Sequence, residues 1–268
     1  MANETPFEKY AAAGNDFVVV DNRRPVVKKA AETARKLCDR RFGVGADGLL
    51  LLERSKKADV RMRIFNPDGS QAKMCGNGVR CLAHFAVRKR IAKPRLVIET
   101  GAGLVRAEVK GAIVKARLTD PRGLKLNVRL DVNGRPENVH VIDTGVPHAV
   151  IVEDSLEHCD VEARGQAVRR HAHFAPRGTN VDFVRKLADG IEVRTYERGV
   201  ENETLACGTG GAASALVASS LFGLRSPVRV KTAGGETLKV HFKKNGSGFS
   251  GVHLEGPVKR VFEGSVRL

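Results

Sequence analysis

The segment VRMRIFNPDGSQAKMCGNG (60–78) and its echo IEVRTYERGVENETLACGTG (191–210) decide the fold. Each starts with alternating apolar and polar residues, which predicts a half-buried strand. Each ends in Cys-Gly-x-Gly directly before a helical pattern. Because the order of strand, polar loop, Cys-Gly-x-Gly and helix occurs twice, we predict a duplicated domain whose halves each bring one cysteine to a shared cleft.

The segments after the two cysteines carry the strongest helical patterns. Apolar residues in 77–90 recur at helical spacing, and residues 209–222 are apolar on nearly every face, which predicts a helix buried inside the fold. Surface helices are predicted at 26–41 and 155–170. Many strands and few helices, without regular alternation, favour an α+β fold over a doubly wound parallel sheet. The predicted strands are 17–21, 49–53, 60–65, 96–99, 104–109, 113–118, 139–143, 148–152, 191–196, 228–232, 237–242 and 258–263.

The chain length of 268 residues lies between one and two ordinary domains. A further similarity, between NDFVVV (15–20) and NVDFV (180–184), supports two related halves. The stretches PRGLKL (121–126) and DVNGRPEN (131–138) are the richest in turn residues near the middle of the chain. We therefore predict a boundary near residue 120, between halves 1–119 and 120–257.

Composition excludes several classes of protein. Apolar residues make up 42% of the chain and charged residues 28%, values typical of a folded soluble protein, and no export signal or membrane span is visible. The net charge of +16 suggests nucleic acid as a partner. Only 5% of residues are aromatic, however, so a stacking platform for single strands is not expected and nucleic-acid binding is a remote alternative.

The five cysteines are odd in number and form no C-x-x-C pair, which favours reduced thiols in the cytoplasm. Cys38 and Cys81 lie among apolar neighbours and are predicted to be core residues. Cys159 lies near three histidines, but their spacing does not match a metal site, so no metal is expected.

Each Cys-Gly-x-Gly helix start offers a specific chemistry. The helix N-terminus lowers the pKa of a thiol, and its free N–H groups bind a carboxylate. One copy alone could be a glycine-rich turn with a buried cysteine. Two copies facing one carboxylate site form an acid/base pair: one thiolate takes the α-proton of an amino acid and the other thiol returns a proton to the opposite face. That inversion needs no pyridoxal phosphate or other cofactor.

The sequence resembles the diaminopimelate epimerases over essentially its whole length. The resemblance is carried by six motifs in order: GNDFVVVD (14–21), GADGLLLL (45–52), FNPDGSQAKMCGNGVRC (65–81), DTGVPHAV (143–150), RGTNVDFV (177–184) and YERGVENETLACGTGGAASA (196–215). It implies cofactor-independent conversion of LL-2,6-diaminopimelate to the meso isomer, for lysine and peptidoglycan precursors. It also implies two pseudo-symmetric domains, each a curled mixed sheet around a central helix, with the active site between them. The last strand, 258–268, is expected to return to the first half, and a homodimer is expected.

The resemblance assigns roles to individual residues. Cys75 and Cys207 match the acid/base pair, and His148 and Glu197 match groups that modulate the thiol pKa values. An arginine can hold the distal carboxylate through two hydrogen bonds, and a glutamate can receive the ammonium group. The positions that match substrate-binding residues are Asn15, Asn66, Gly76, Asn77, Asn180, Glu197, Arg198, Gly208 and Thr209. The three asparagines 15, 66 and 180 also lie in turn-like contexts, where a structural role is the alternative.

Three departures from the family pattern leave an alternative function open. AAAGNDF (11–17) lacks the His and Leu that often precede GNDF, Gly48 stands where some members have Gln, and Val146 stands where many have Asn. Losing polar contacts there could change the substrate, so another cofactor-independent amino-acid racemase of the same fold is the nearest alternative. The motifs do not indicate which cysteine acts on which stereoisomer.

Overall fold

A computed structural model describes residues 4–246 and 248–267. Residues 1–3 and 247 of the predicted halves and residue 268 of the predicted last strand lie outside this range. The chain divides into two units, Met1–Ala116 with Gly256–Leu268, and Arg117–Glu255. This division falls between Ala116 and Arg117, and the domain boundary near residue 120 stays a prediction. Within the described ranges, no helix combines the length and apolar character needed to span a bilayer.

The elements alternate irregularly between strands and helices. The strands are β1 Glu4–Ala12, β2 Asn15–Asp21, β3 Gly48–Glu53, β4 Val60–Phe65, β5 Gln71–Ala72, β6 Arg95–Thr100, β7 Gly103–Lys110, β8 Ile113–Arg117, β9 Arg122–Val132, β10 Arg135–Asp143, β11 Pro147–Val152, β12 Asn180–Leu187, β13 Gly190–Glu197, β14 Asn202–Thr204, β15 Val228–Thr232, β16 Thr237–Asn245, β17 Gly248–Pro257 and β18 Lys259–Arg267. The α-helices are α1 Ala30–Cys38, α2 Gly76–Arg88, α3 Val161–Arg169 and α4 Gly208–Phe222, and a 3₁₀ turn spans Ala172–Phe174.

The first unit is a mixed sheet in the order β18, β1, β2, β3, β4, β6, β7, β8, with β5 paired to the end of β4. Among the strand pairs that the structure describes in this unit, β2 with β3 and β4 with β6 run parallel and the others antiparallel. Helix α2 contacts β1 to β4, β6 and β7. Leu50 and Leu52 of β3 belong to the core under α2, whereas Leu49 and Leu51 face the core that includes α1. The run of leucines is therefore continuous because both faces of this strand are covered.

The second unit repeats this arrangement in the order β9, β10, β11, β12, β13, β15, β16, β17, with β14 paired to the end of β13. Its parallel pairs, β11 with β12 and β13 with β15, occupy the same places as those of the first unit. Helix α4 contacts β10 to β13, β15 and β16. The predicted α+β fold, with two similar halves that each hold a mixed sheet and a central helix, is confirmed.

Strand order corrects one part of the predicted repeat. NDFVVV (15–20) lies in β2, whose counterpart is β11, whereas NVDFV (180–184) lies in β12, whose counterpart is β3. The similarity between these two stretches is therefore not part of the duplication. Buried strands share the same residue types wherever they occur, so a short match does not identify equivalent strands.

Pairing register fixes which residues of the two units correspond. The first pair between β2 and β3 is Phe17 with Gly48, and the first pair between β11 and β12 is His148 with Asn180. Phe17 therefore corresponds to His148, and Gly48 to Asn180.

The turn-rich stretch near the middle of the chain proves to be a hairpin. Val132 pairs with Arg135 across a two-residue turn in which Asn133 and Gly134 have φ of 56° and 78°. Two central residues with positive φ are typical of a type I′ turn, which matches the twist of the flanking strands. DVNGRPEN (131–138) thus joins β9 to β10 inside the second unit.

The two surface helices are shorter than predicted. The segment 26–41 becomes helical only at α1, because Asn22 Oδ1 accepts a hydrogen bond from Val27 N–H and holds the preceding residues in a loop. The segment 155–170 becomes helical only at α3, because the Asp160 carboxylate caps its first turn. Strands β1, β5, β9, β12, β14 and β17 were not predicted. The apolar residues of β9 do alternate, from Leu124 to Val132, but its first residues lie in the stretch PRGLKL (121–126) that was assigned to turns, whereas β1 has no regular alternation.

Glu8 of β1 ties together three elements of the first unit. Its side chain is 3% exposed and contacts Lys89 at 2.8 Å, Arg260 of β18 at 3.2 Å, and Arg88 of α2. Burial alone would raise the pKa of Glu8, but hydrogen bonds from Lys89 and Arg88 outweigh burial and lower this pKa. The carboxylate is therefore held in its charged form.

Replacing Glu8 with Gln is expected to lower the free energy of unfolding by about 1–3 kcal/mol at pH 7, because three cations lose their shared partner. Because the folded pKa is lowered, this stabilisation is present above the unfolded value of about 4.3 and is lost as the pH falls through the folded value. Urea unfolding of both proteins between pH 7 and pH 3 measures the difference, which should shrink in acid.

Glu32→Gln is the matched control, because its ion pairs with Lys29 and Lys36 lie on an exposed helix face. Its stability should stay close to that of the wild type. An equal loss in both variants would contradict the role assigned to Glu8.

Candidate active site

Cys75 stands at the start of the central helix of the first unit. Its backbone is extended (φ −143°, ψ 123°), and its Sγ accepts a hydrogen bond from Gly78 N–H at 3.5 Å, so the residue is the N-cap of α2. The thiol is half-buried. A Cβ at Gly76 would meet no atom within 4 Å, so open space lies beside the first turn.

Cys207 has the same position in the second unit. Its backbone is extended (φ −112°, ψ 115°), and its Sγ accepts a hydrogen bond from Gly210 N–H at 3.4 Å at the start of α4. Thr209 Oγ1 lies 3.4 Å from the same sulfur.

The protonation of Cys207 differs from the sequence-based expectation. Burial raises the pKa of Cys207 well above its usual value, the carboxylates of Glu197 and Asp182 raise it further, and hydrogen bonds from Thr209 and Gly210 lower it by less. The lower thiol pKa expected at a helix N-terminus is therefore wrong for Cys207, because burial and the two carboxylates outweigh the hydrogen bonds of the first turn. This cysteine is held as a thiol, the form that donates a proton.

Two of the predicted asparagines meet beside α2. Asn77 Nδ2 donates to Asn15 Oδ1 at 2.8 Å, and Asn15 Nδ2 donates to Asp47 Oδ2 at 3.1 Å. The fully buried Arg80 donates from Nη2 to Asn77 Oδ1 at 2.7 Å. This chain fixes the orientation of both amides, since each oxygen accepts and each nitrogen donates.

Asn66 forms a turn, as its sequence context also indicated. Its side-chain Nδ2 donates to Ser70 Oγ at 2.9 Å, and its carbonyl accepts from Gly69 N–H. Strand pairing places Asn66 and Glu197 at equivalent positions of the two units. Asn66 follows Phe65, which pairs with Leu49, and Glu197 follows Tyr196, which pairs with Val181.

His148 and Asn180 lie side by side on the parallel strands β11 and β12. Asn180 Nδ2 donates to Pro147 O at 3.3 Å and lies 3.5 Å from His148 Nε2. Asn180 Oδ1 accepts from the backbone N–H of Arg198 at 2.9 Å. Asn180 therefore fixes the backbone from which the Arg198 side chain extends.

Glu197 is a half-buried carboxyl at the end of β13. Burial raises its pKa and the charge of Asp182 raises it further, whereas a hydrogen bond from Thr204 Oγ1, at 3.1 Å, lowers it. Burial of the carboxyl near a second carboxylate is an arrangement typical of functional sites.

Two further polar residues, Asp182 and Thr195, lie in this candidate site although no sequence motif marks them. Both are almost fully buried, and Thr195 Oγ1 donates to Asp182 Oδ1 at 2.7 Å. An acidic residue between Val181 and Phe183 in an apolar strand was the available signal, because a buried carboxylate needs specific partners.

The remaining cysteines lie outside the two helix starts. Cys38 and Cys81 are buried, as predicted, and burial raises the pKa of Cys38 to about 11. Burial also raises the pKa of Cys159, which packs near Arg164. Across residues 4–246 and 248–267, no three His, Cys, Asp or Glu side chains converge in a way that could hold a metal ion.

Solved structures share this fold. A phenazine biosynthesis protein of the PhzF family from Bacillus anthracis matches with a TM-score of 0.79 and 17% identity, covering 99% of this chain and 100% of that chain. A probable proline racemase from Agrobacterium radiobacter matches with a TM-score of 0.71 and 18% identity, covering 98% of this chain and 93% of that chain. At such identities the likeness concerns the fold alone.

Sequence comparison is more specific. The diaminopimelate epimerase of Hydrogenobaculum is 44% identical over 272 residues, and that of Aquifex aeolicus is 44% identical over 275 residues. Each alignment covers 96% of this chain and 96% of the relative. The family profile described as diaminopimelate epimerase matches residues 7–120 and 140–261. With both Cys-Gly-x-Gly helix starts inside the matched ranges, the chain belongs to the diaminopimelate epimerase family.

Proposed function

We propose that this protein converts LL-2,6-diaminopimelate to meso-diaminopimelate by acid/base catalysis with Cys75 and Cys207. One observation carries the proposal: the two cysteines cap the central helices at the same place in two units of the same topology. Opposite-face proton transfer needs two such groups, because a single base would return the proton to the face from which it came.

The chemistry begins with one thiolate and one thiol. The thiolate removes the α-proton, so a C–H bond breaks and an S–H bond forms, and the electron pair stays on the substrate. The second thiol then donates its proton to the opposite face of the carbanion. Burial and the carboxylates of Glu197 and Asp182 raise the pKa of Cys207, which favours Cys207 as the thiol that donates a proton. After one turnover the two sulfurs have exchanged roles.

Free N–H groups stabilise the carbanion. The first turns of α2 and α4 begin at Gly76 and Gly208, followed by Asn77 and Thr209, and the amides of a first turn have no partner within their helix. A substrate carboxylate bound there gains negative charge as the proton leaves, so these amides act more strongly on the transition state than on the substrate.

The other end of the substrate requires charged partners. Arg198 can hold the distal carboxylate through two hydrogen bonds, and Glu197 can receive an ammonium group. Asn15, Asn66 and Asn180 supply amides that can bind either group.

The oligomeric state and the cellular location are inferred from membership of the same family. We propose a homodimer in the cytoplasm. The odd number of cysteines and the lack of a C-x-x-C pair support a reducing compartment.

Deuterium exchange tests the reaction directly. In deuterated water, LL-diaminopimelate should gain deuterium at one α-carbon as the meso isomer forms, because the returning proton comes from solvent-exchanged thiol. Mass spectrometry and chiral chromatography measure both changes. Proline is the comparison substrate: deuterium in proline but none in diaminopimelate would indicate the alternative, another racemase of this fold.

Removal of either thiol tests the mechanism. Cys75→Ala and Cys207→Ala should each reduce epimerisation by at least about 10³-fold, since each removes one of the two proton-transfer groups. Cys159→Ala is the matched control, because it removes a half-buried thiol outside the helix starts, and it should keep full activity. Wild-type rates in either of the first two variants would rule out a two-thiol mechanism.

Arg198→Lys tests substrate recognition. Lysine keeps the charge but not the paired donors, so KM for diaminopimelate should rise about 10- to 100-fold while kcat changes less. Arg185→Lys is the control: this arginine pairs with Glu192 in the same unit, and KM should not change. Equal kinetics for Arg198→Lys and wild type would remove Arg198 from the binding site.

A further inference from the structure

The second unit carries polar residues where the first carries apolar ones. Leu50 pairs with Ile64 between β3 and β4, and Asp182 pairs with Thr195 at the corresponding place between β12 and β13. One strand further, Phe17 corresponds to His148. The fold therefore forms with three apolar residues at these positions, and it does not itself require a carboxylate, a hydroxyl and an imidazole.

The packing of the cysteine helices confirms this correspondence independently. A Cβ built on Gly78 would lie 3.2 Å from Leu50 Cδ2, whereas a Cβ built on Gly210 would lie 2.2 Å from Asp182 Oδ1. These are the glycines whose N–H groups bind the two cysteine sulfurs. Leu50 and Asp182 thus pack against the same turn of their helices, directly behind the cysteine.

Asp182 is fully buried and held by two donors. Its Oδ1 accepts from Thr195 Oγ1 at 2.7 Å, and its Oδ2 lies 2.7 Å from Nδ1 of the fully buried His148. Burial of a carboxylate is costly even with partners, and an apolar residue of similar volume often serves stability as well or better. The first unit has Leu50 where the second has Asp182 with its polar partners, so this polar cluster indicates a functional role.

The contact determines the state of the imidazole. An ionised carboxylate only accepts hydrogen bonds, so Nδ1 of His148 must carry the proton. In the neutral ring Nε2 is then the acceptor, and Asn180 Nδ2 lies 3.5 Å from it.

We propose that Asp182 is a positioning residue that fixes His148 in the Nδ1–H tautomer and places a carboxylate behind Cys207, where the first unit has Leu50, which makes the two cysteines chemically unequal. This inference rests on the proposed function, because inequality matters only where one thiol gives and the other takes a proton. The groups that face Cys207 are Asp182 of β12, Glu197 of β13, and Thr209 and Gly210 of α4, with His148 of β11 reaching it through Asp182.

The tautomer is measured on the wild-type protein. With ¹⁵N-labelled histidine, the His148 ring should show a protonated Nδ1 and an unprotonated Nε2 at neutral pH. A ring protonated at Nε2 alone would overturn the proposal without any variant.

The charge is measured with Asp182→Asn, which keeps the shape of the side chain. The pH midpoint for alkylation of Cys207 by iodoacetamide, followed by peptide mass spectrometry, should fall by about 1 pH unit, because a nearby negative charge disfavours the thiolate. The His148 tautomer should become mixed, because the amide can present either a donor or an acceptor. An unchanged midpoint in a variant with native circular dichroism would contradict the proposal.

Two further variants separate charge from packing. Thr195→Val removes a hydrogen bond from the same cluster but keeps the carboxylate, so the Cys207 midpoint should stay within about 0.3 pH unit of the wild type. Leu50→Met changes the corresponding position of the first unit and should leave the midpoint unchanged. A fall in Thr195→Val as large as that in Asp182→Asn would assign the effect to packing and overturn the proposal.

The Cys207 titration and the measurement of the His148 tautomer need no substrate. They can therefore contradict the role of Asp182 without contradicting the proposed function. If wild-type protein does not exchange deuterium into diaminopimelate, the function is wrong whatever Asp182 does. If it does, kcat of Asp182→Asn should fall at least about tenfold with KM little changed. Wild-type kcat, or an unaltered midpoint and tautomer, would remove Asp182 alone from the mechanism.

Discussion

The unpaired N–H groups at the start of a buried helix are the constraint on which the rest of this structure depends. Helices α2 and α4 begin inside the two units, so their first amides need acceptors. A cysteine sulfur accepts one amide in each unit, at 3.5 Å and 3.4 Å. The neighbouring amides have no acceptor within their own helix. The same turn thus places a sulfur beside N–H groups of the kind that bind anions, and the surrounding strands hold it in place.

Duplication supplies two such turns, and divergence makes them different. The order and direction of the strands are the same in both units, but Phe17, Leu50 and Ile64 are replaced by His148, Asp182 and Thr195. A racemase needs one proton donor and one acceptor at any moment. Identical environments would give the two thiols the same pKa, whereas the buried carboxylate of Asp182, which lies where the first unit has Leu50, raises the pKa of Cys207.

Charge has two distinct roles in this protein. The net charge of +16 was the most conspicuous property of the composition, yet it does not explain the site. The charges tied to the site and to the stability of the first unit have little solvent exposure: Asp182 behind Cys207 and Glu8 between three cations are buried, and Glu197 at the end of β13 is half-buried. Low solvent exposure makes each of them strong, because water does not screen it.

The sequence by itself determined the repeated Cys-Gly-x-Gly unit, the α+β class, most strands, both central helices and the family, since these depend on local periodicity and on motifs several residues long. Only the tertiary structure decided which strands correspond, because NDFVVV and NVDFV look alike but pair at different places in their sheets. It also decided that DVNGRPEN closes a hairpin, through the positive φ of Asn133 and Gly134. Asp182 and Thr195 belong to the site although no motif marks them, because burial and contacts between strands distant in sequence give a side chain its pKa and its partner.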